Sequence, residues 1–443
     1  MRLVLVCTDV VGASMAGPGI RYWELAHELA KRHDVTLVAP GLDVASPTVR
    51  LVRFGERAWT AILRDADALV TQYVTPPLLS ALQRSGTRLV IDAYVPMVLE
   101  GLLHHSSAAG QVRRARARTL AAVQALSLLA ADAVVCASEQ QRDLWLGGLM
   151  ALGRLTPEVS DEDPSLRSFI DVVPFGLPSA PPVRTGPGPR TLFGLPDDTV
   201  LALWGGGMWE WFDPTTVVEA VARVRAHDTR LQLVLLGRQH PQAGGPPSSA
   251  GTRAVTCAAE LGLIGKGVHV APQWVPYAER GSWLLDADLG VSAHLQLAEN
   301  HFAFRTRVLD YLWAGLPSVL TAGDGLADLA VQEGFGTVAG VGDVSGWADR
   351  LGEMTGDAGL RAGAAAAARV SAERFRWPRI AGDLERVLLS LRARAPRHWN
   401  GRQLDATMRY LLNGAGGVLL EEGWHGVRRR LTSTTPGQRS PTG

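Results

Sequence analysis

The sequence predicts an α/β protein made of two doubly wound parallel-sheet domains. Three observations carry this. Short apolar runs alternate with helical periodicity through both halves of the chain. The length of 443 residues suits two or three domains, at about 100–200 residues each. A proline- and glycine-rich stretch, SAPPVRTGPGPR, separates the halves and reads as a linker.

In the first half the strand candidates are Arg2–Cys7, Asp34–Ala39, Ala68–Gln72, Arg88–Asp92, Ala133–Ala137 and Ile170–Pro174. Helical periodicity fills Tyr22–Arg32 and much of Val112–Ala131. The first strand-to-helix turn carries Gly12, Gly17, Pro18 and Gly19 ahead of Ile20 and Arg21. In a doubly wound sheet this turn lies at the ligand crevice, where glycines let backbone amides approach a phosphate or sugar. A plain surface loop is the other reading. The segment VVPFGLP closes this half. The division expected is 1–178 for the first domain, 179–190 for the linker and 191–375 for the second domain. A C-terminal helix over 376–395 can pack back on the first domain, and 396–443 form an appendage and tail.

The second half restarts with strand candidates Val200–Trp204, Leu231–Gly237, Gly267–Ala271, Ala287–Ala293, Ser318–Ala322 and Thr337–Val341. Its first strand runs into Gly205, Gly206 and Gly207, either a tight turn or a surface where ligand meets backbone. Arg238 follows the next strand, again at a C-terminal edge. The organising stretch is His294–Pro317, HLQLAENHFAFRTRVLDYLWAGLP. A helix is expected from near Phe304, stopped by Gly315 and Pro317. Val308, Leu309, Leu312 and Trp313 share one face of it, and Arg307, Asp310 and Ala314 the opposite one. Arg305 and Arg307 fall where a helix prefers acids, because its first turn already carries partial positive charge. Free amides and guanidinium forks at such a place make a phosphate site.

The composition narrows the function. At 47% hydrophobic and 20% charged residues the chain is globular, and a net charge of +1 gives no general attraction to nucleic acid. Cys7, Cys136 and Cys257 are far apart and odd in number, which suits a reducing cytoplasm and no disulfide framework. MRLVLVC reads as a strand and not a signal peptide, and no apolar run nears the length of a membrane span. Arg113, Arg114, Arg116 and Arg118 form either a solvated helix face or an attraction for anionic lipid, so peripheral membrane contact stays open. The final segment, with apolar, glycine-broken Tyr410–Leu420 followed by Arg428–Arg430, is either a surface appendage or an amphipathic contact.

Several chemistries lack their motifs. No Gly-x-Gly-x-x-Gly stands after a strand with an acid at the right distance, which disfavours a dinucleotide enzyme. Gly265-Lys266 is followed by Gly267 and not by Ser or Thr, so it is no Walker loop. A Gly-x-Ser-x-Gly elbow and His-Glu-x-x-His spacing are both missing, and no metal is expected.

These features together resemble family 4 ("group 1") glycosyltransferases. The resemblance covers about 1–394 and rests on AGPGIRYWELAHELA, ADAVVCASEQQRDLW, VVPFGLP, LVLLGRQHP and above all FRTRVLDYLWAGLP. It implies the GT-B fold, two Rossmann-like domains facing across a cleft. It implies a nucleotide-diphosphate sugar as donor, held mainly by the second domain, and a saccharide or lipid-linked acceptor on the first. Chemistry would retain the anomeric configuration and use neither metal nor other cofactor. The usual pair of glutamates is altered here. Asp310 takes the second place, Phe302 stands eight residues before it, and Glu299 is the nearest acid to the first. Glu333-Gly334-Phe335-Gly336 looks like the usual tetrad but has no acid at 341, and reads as a helix end. On this resemblance the donor would meet Gly17, Gly19, Gly206, Gly207, Arg238 and Glu299, and the stretch Phe304, Arg305, Thr306, Arg307 and Asp310. Asp92, Glu299 and Asp310 are the catalytic candidates, with Arg21 and Asp92 on the acceptor side. Asp92 is either a base or a strand-end cap. Two alternatives stay open: a non-catalytic nucleotide-sugar-binding partner of another transferase, favoured by the missing bases after Trp204, and another enzyme of this fold such as a nucleotide-sugar epimerase.

Overall fold

The computed structural model describes residues 1–104, 110–237, 248–391 and 401–432, with backbone alone at 104 and 417–432. The chain forms two compact units. Unit 1 comprises Met1–Gly12, Pro18–Pro174 and Ile380–Gly443; unit 2 comprises Ala13–Gly17 and Phe175–Arg379.

Unit 1 is built on β1 (Arg2–Val6), β2 (Asp34–Ala39), β3 (Arg50–Arg53), β4 (Ala68–Thr71), β5 (Arg88–Asp92), β6 (Ala133–Cys136) and β7 (Ile170–Val172). They form one parallel sheet in the order β3-β2-β1-β4-β5-β6-β7, with Leu3 opposite Val35 on one side and Ala68 on the other. The order reverses between β1 and β4, the switch point at which such sheets open a crevice. Continuous apolar runs such as ALVT and AVVC are buried along their whole length, as sheets covered on both faces require. β3 was not among the strand candidates: RLVR has two apolar residues, and pairing of Arg50 with Thr36 of β2 creates it.

Helix α1 (Gly17–Ala30) starts five residues ahead of the expected Tyr22, because Pro18 fits a first helical turn. Tyr22, Leu25, Ala26 and Leu29 form its buried stripe. Helix α2 (Gly110–Ala130) buries Leu120, Val123 and Leu126 and leaves Arg113, Arg114 and Arg118 exposed. The C-terminal segment differs from the expected appendage. Its glycines do not break it, and Gly401–Thr432 is a single helix packed along α2. Ala406 sits in the same core cluster as Leu126, Leu129 and Leu149, and Arg402 Nη1 donates to Leu152 O at 2.7 Å.

Unit 2 carries β8 (Val200–Trp204), β9 (Leu231–Leu235), β10 (Val268–Val270), β11 (Leu289–Ser292), β12 (Ser318–Thr321) and β13 (Gly336–Ala339). Its parallel sheet has the order β10-β9-β8-β11-β12-β13, so the switch point lies between β8 and β11. Phe175 and Leu177 belong here although the sequence runs unbroken from β7. Leu177 N donates to Phe375 O, and the Phe175 ring lies 5.1 Å from that of Trp377.

Candidate functional site

Helix α3 (Thr306–Ala314) is anchored at the switch point of the unit 2 sheet by one side chain. Tyr311 is fully buried, and its hydroxyl accepts from Gly205 N at 2.9 Å. The same hydroxyl faces Leu203 O at 3.0 Å and Val291 O at 2.8 Å, so it joins the ends of β8 and β11. Burial pushes the phenol up to about 12, which keeps the proton for these carbonyls. The ring lies on Gly290, where an added Cβ would fall 2.4 Å from it; only glycine permits that approach. At its far end the helix stops at Gly315, with φ 66°. The face expected to be buried therefore lacked its principal member, Tyr311.

The N-terminus of α3 has neither a side-chain cap nor an acid in its first turn. Its first amides have no intrahelical partner. Arg307, placed by sequence on a polar face, is in fact buried, with 7% exposure. Its guanidinium lies 3.9 Å from the centre of the Phe212 ring and 4.5 Å from that of Trp204. Nη2 donates to Gly207 O, while Nη1 has no partner, and no carboxylate pairs with Arg307 among the described residues. Burial pulls its proton affinity down to about 10, still charged at neutral pH.

Arg305 is different. Its Nη1 and Nη2 donate to Glu299 Oε1 and Oε2 at 3.1 and 2.7 Å, and Nη2 also reaches Asn300 Oδ1 at 3.0 Å. Glu299 comes from the short 3-10 turn Ala298–Phe302 and is 2% exposed. Asp324, N-cap of helix α4 (Gly325–Glu333), stands 4.0 Å from Arg305 Nε and 3.6 Å from His294 Nε2. Arg305 thus has its charge compensated by Glu299, whereas Arg307 has no such partner among the described residues. Glu299 in turn is held by Arg305 through both carboxylate oxygens.

Asp310 is one-third exposed and pairs with Arg280, whose Nε is 3.2 Å away. Burial pushes the Asp310 carboxyl up, and Arg280 pulls against it. Arg280 itself lies over Tyr277 at 3.6 Å and Trp313 at 4.4 Å. Phe304 packs edge-on to Phe375 and is half-buried, as is Thr306, the first helical residue. Gly206 and Gly207 form the loop after β8, the latter bonded to Arg307. Arg238 lies outside the described residues.

In unit 1, Gly17 and Gly19 open α1. Arg21 and Asp92 close on each other. Arg21 Nε and Nη2 donate to Asp92 at 2.7 and 2.9 Å, and Nη1 and Nη2 reach Pro174 O and Val173 O at 2.6 and 3.0 Å. Both are at most 1% exposed. This pair joins α1, the end of β5 and the segment after β7, and of the two readings of Asp92 the buried pairing with Arg21 is the geometry of a strand-end partner.

Sequence reasoning missed Trp204, Phe212, Tyr311, Arg280 and Asp324. Tyr311 had a signal, since it follows Arg307 by one helical turn; Arg280 had none. Among the described residues no group of three or more His, Cys, Asp or Glu side chains could hold a metal ion.

No protein-family model matches the chain. A curated relative, D-inositol 3-phosphate glycosyltransferase of Xylanimonas cellulosilytica, is 28% identical over 234 residues, 51% of this chain and 52% of that protein. The chain thus spans about half the length of that relative. Among solved structures, sucrose-phosphate synthase from Thermosynechococcus elongatus superposes with a TM-score of 0.61 at 17% identity, over 88% of this chain and 99% of that one. HepE of Anabaena in complex with UDP and glucose gives 0.61 at 15% identity, over 88% and 100%. The fold is GT-B. In GT-B terms unit 1 is the first and unit 2 the second of two Rossmann-like domains, and helix α3 belongs to the second. The resemblance to family 4 glycosyltransferases and the glycosyltransferase relatives agree in class.

Proposed function

We propose that the protein is a glycosyltransferase using a nucleotide-diphosphate sugar, and that the N-terminus of α3 with Arg307 holds the diphosphate. The observation that carries this is the buried guanidinium of Arg307, which among the described residues forms no ion pair with a carboxylate and has Nη1 unpartnered. A buried cation without a counter-charge is costly, so a site retaining one is built for an anion brought by a ligand. The relative named as a glycosyltransferase and the neighbour solved with UDP and glucose support the same reading.

In the transfer the bond from the sugar's anomeric carbon to the diphosphate oxygen breaks, and the diphosphate leaves with the electron pair. An acceptor hydroxyl oxygen bonds to that carbon and gives up its proton. Arg307 and the first amides of α3 meet the charge growing on the leaving oxygen, which is the part of the reaction that preorganised donors accelerate. In this reading Asp310, on the same helix and paired with Arg280, accepts from a ribose or sugar hydroxyl. Retention of configuration, independence of metal and a cytoplasmic site are carried over from the sequence reading.

The acceptor we favour is a saccharide or lipid-linked saccharide of cell-envelope assembly. Leu404, Met408, Leu411 and Leu412 share one face of the helix Gly401–Thr432 and are 44–66% exposed, while Arg114 and Arg118 of α2 are exposed. This supports peripheral contact with an anionic membrane; loss of binding to anionic vesicles in Leu411→Ser/Leu412→Ser checks it. No helix among the described residues is long and apolar enough to cross a membrane.

A second reading, a nucleotide-sugar-binding partner without activity, is favoured by the compensation of Arg305, which leaves Arg307 as the uncompensated cation among the described residues of the site. A thermal-shift screen of nucleotide sugars followed by product analysis with acceptor panels separates the two. Stabilisation by a donor with transfer or slow donor hydrolysis is expected. Tight donor binding with no turnover would leave the second reading standing, and no nucleotide-sugar binding at all would remove both.

A further inference from the structure

Unit 1 carries an apolar hollow that the site in unit 2 does not use, and it exists because one crossover is short. The chain leaves β3 at Phe54 and must pass over β2 and β1 before it enters β4 at Ala68, a distance of about 14 Å at the usual strand spacing. The helix in that crossover, Trp59–Ile62, is a single turn, about 6 Å long. The next helix, Pro76–Ser85, has ten residues. Part of the sheet face between the two is left without a helix over it. What remains is a cavity of 280 Å³, roughly twice the size of one that takes up benzene.

The apolar lining is Val38, Phe54, Trp59, Ile62, Pro77 and Ala81. Val38 and Ala81 belong to the buried core of unit 1 and form the floor. Phe54 and Trp59 are partly buried and meet edge-on at 6.0 Å. Their wall is fixed through the backbone: Phe54 N donates to Ala39 O and Leu63 N to Trp59 O, both at 2.9 Å. The charged part of the lining is cationic, Arg57 and Arg84, both exposed. Arg84 Nη1 donates to Ser80 Oγ at 2.7 Å, and among the described residues no carboxylate pairs with either arginine. Glu56, next to Arg57 in the chain, is instead turned to Arg53 N at 3.0 Å. Binding pockets combine an apolar lining with a few polar groups that fix orientation, and guanidinium forks suit phosphate oxygens.

We propose that this cavity takes the hydrocarbon chain of a lipid phosphate, with Arg57 and Arg84 on the phosphate. The site lies within unit 1 and is independent of the diphosphate reading at Arg307. A second copy of the chain would also close an apolar hollow, but two guanidinium groups without a counter-charge select an anionic amphiphile. On the scale of benzene in its cavity, the hollow holds about ten carbons. Each buried methylene should raise affinity about four-fold until the hollow is full.

The test measures, by calorimetry on the full chain, binding of alkyl phosphates from butyl to tetradecyl below their micelle concentrations, with dodecyl maltoside and inorganic phosphate as probes of chain and head alone. Affinity is expected to climb with chain length and level off near about ten carbons. Dodecyl maltoside should bind about ten-fold more weakly than dodecyl phosphate, and inorganic phosphate not measurably. Ala81→Leu fills the floor, and Thr60→Trp, at an exposed position of the lining, blocks the hollow without touching the core. Each should weaken dodecyl phosphate by about ten-fold or more, with the melting temperature of Thr60→Trp unchanged. Arg57→Gln/Arg84→Gln should bring dodecyl phosphate to the level of the maltoside. Leu411→Ser/Leu412→Ser, on the other exposed apolar face of unit 1, should leave it unchanged. Absence of alkyl phosphate binding, affinity that keeps rising through tetradecyl, equal binding of the two heads, or binding that survives Thr60→Trp overturns the proposal. So does a loss confined to Leu411→Ser/Leu412→Ser. A dimer in sedimentation that Thr60→Trp splits and dodecyl phosphate does not would assign the hollow to a second copy and overturn it as well.

Discussion

Replacing Arg307 with methionine should leave the free protein nearly as stable as before and abolish its stabilisation by nucleoside diphosphates. Burial lowers the guanidinium from its ordinary value to about 10, a penalty on the order of 3 kcal/mol for keeping it charged. Against this stand the rings of Trp204 and Phe212, each contributing about 1 kcal/mol of cation–π attraction, and the bond to Gly207 O, about 1–2 kcal/mol. The terms nearly cancel, so methionine, which fills similar space without charge, should shift stability by no more than about 1 kcal/mol, or about 2–4 °C for a unit of this size. The ligand effect is larger. At 100 times its dissociation constant UDP stabilises the unsubstituted protein by about 2.7 kcal/mol, and this increment should vanish in the variant. Thermal and urea unfolding with and without UDP read both quantities. The guanidinium stays protonated below about pH 10, so its part in anion binding should be flat through neutral pH. A variant that loses 3 kcal/mol or more while keeping the UDP increment would show that Arg307 is a structural residue, and the anion-site reasoning would fail.

Two further outcomes follow from buried and paired charges. Asp92→Asn strands the fully buried Arg21 guanidinium and should cost about 3–5 kcal/mol in urea unfolding, while the double variant Arg21→Met/Asp92→Leu should regain much of it; unchanged stability with a hundredfold fall in turnover would restore Asp92 as a base. Glu385 is held below the usual carboxylate range by Arg32 and His33, so its contribution is present above its unfolded value and lost as pH falls through the lower folded one. Glu385→Gln should therefore destabilise by up to about 1 kcal/mol at pH 7 and by nothing at pH 2; a penalty that grows in acid would contradict the pairing.

Much of the architecture was legible because it is local. β2, β5 and β8 match the expected spans residue for residue, since each is an apolar run bounded by polar or turn residues. The organising helix was found from periodicity and its Gly-x-Pro stop, and it begins at Thr306 instead of Phe304. The charge states of the site were not legible in the same way. Glu299 and Arg305 are six residues apart, yet only the 3-10 turn between them makes a bidentate pair. Arg21 and Asp92 are 71 residues apart and meet because the fold brings the start of α1 to the end of β5 and to the segment after β7.

By itself the sequence determined the alternation of strands and helices, the glycine loops at strand ends and the presence of two arginines at a helix N-terminus. Those follow from hydrophobic period and backbone chemistry, which act over a few residues. Tertiary structure alone decided which arginine is neutralised, that Tyr311 fastens the helix to the sheet, and that the C-terminal helix joins the core of unit 1. Each depends on groups far apart in the chain, whose pairing is set by packing and by the cost of burying a charge without a partner.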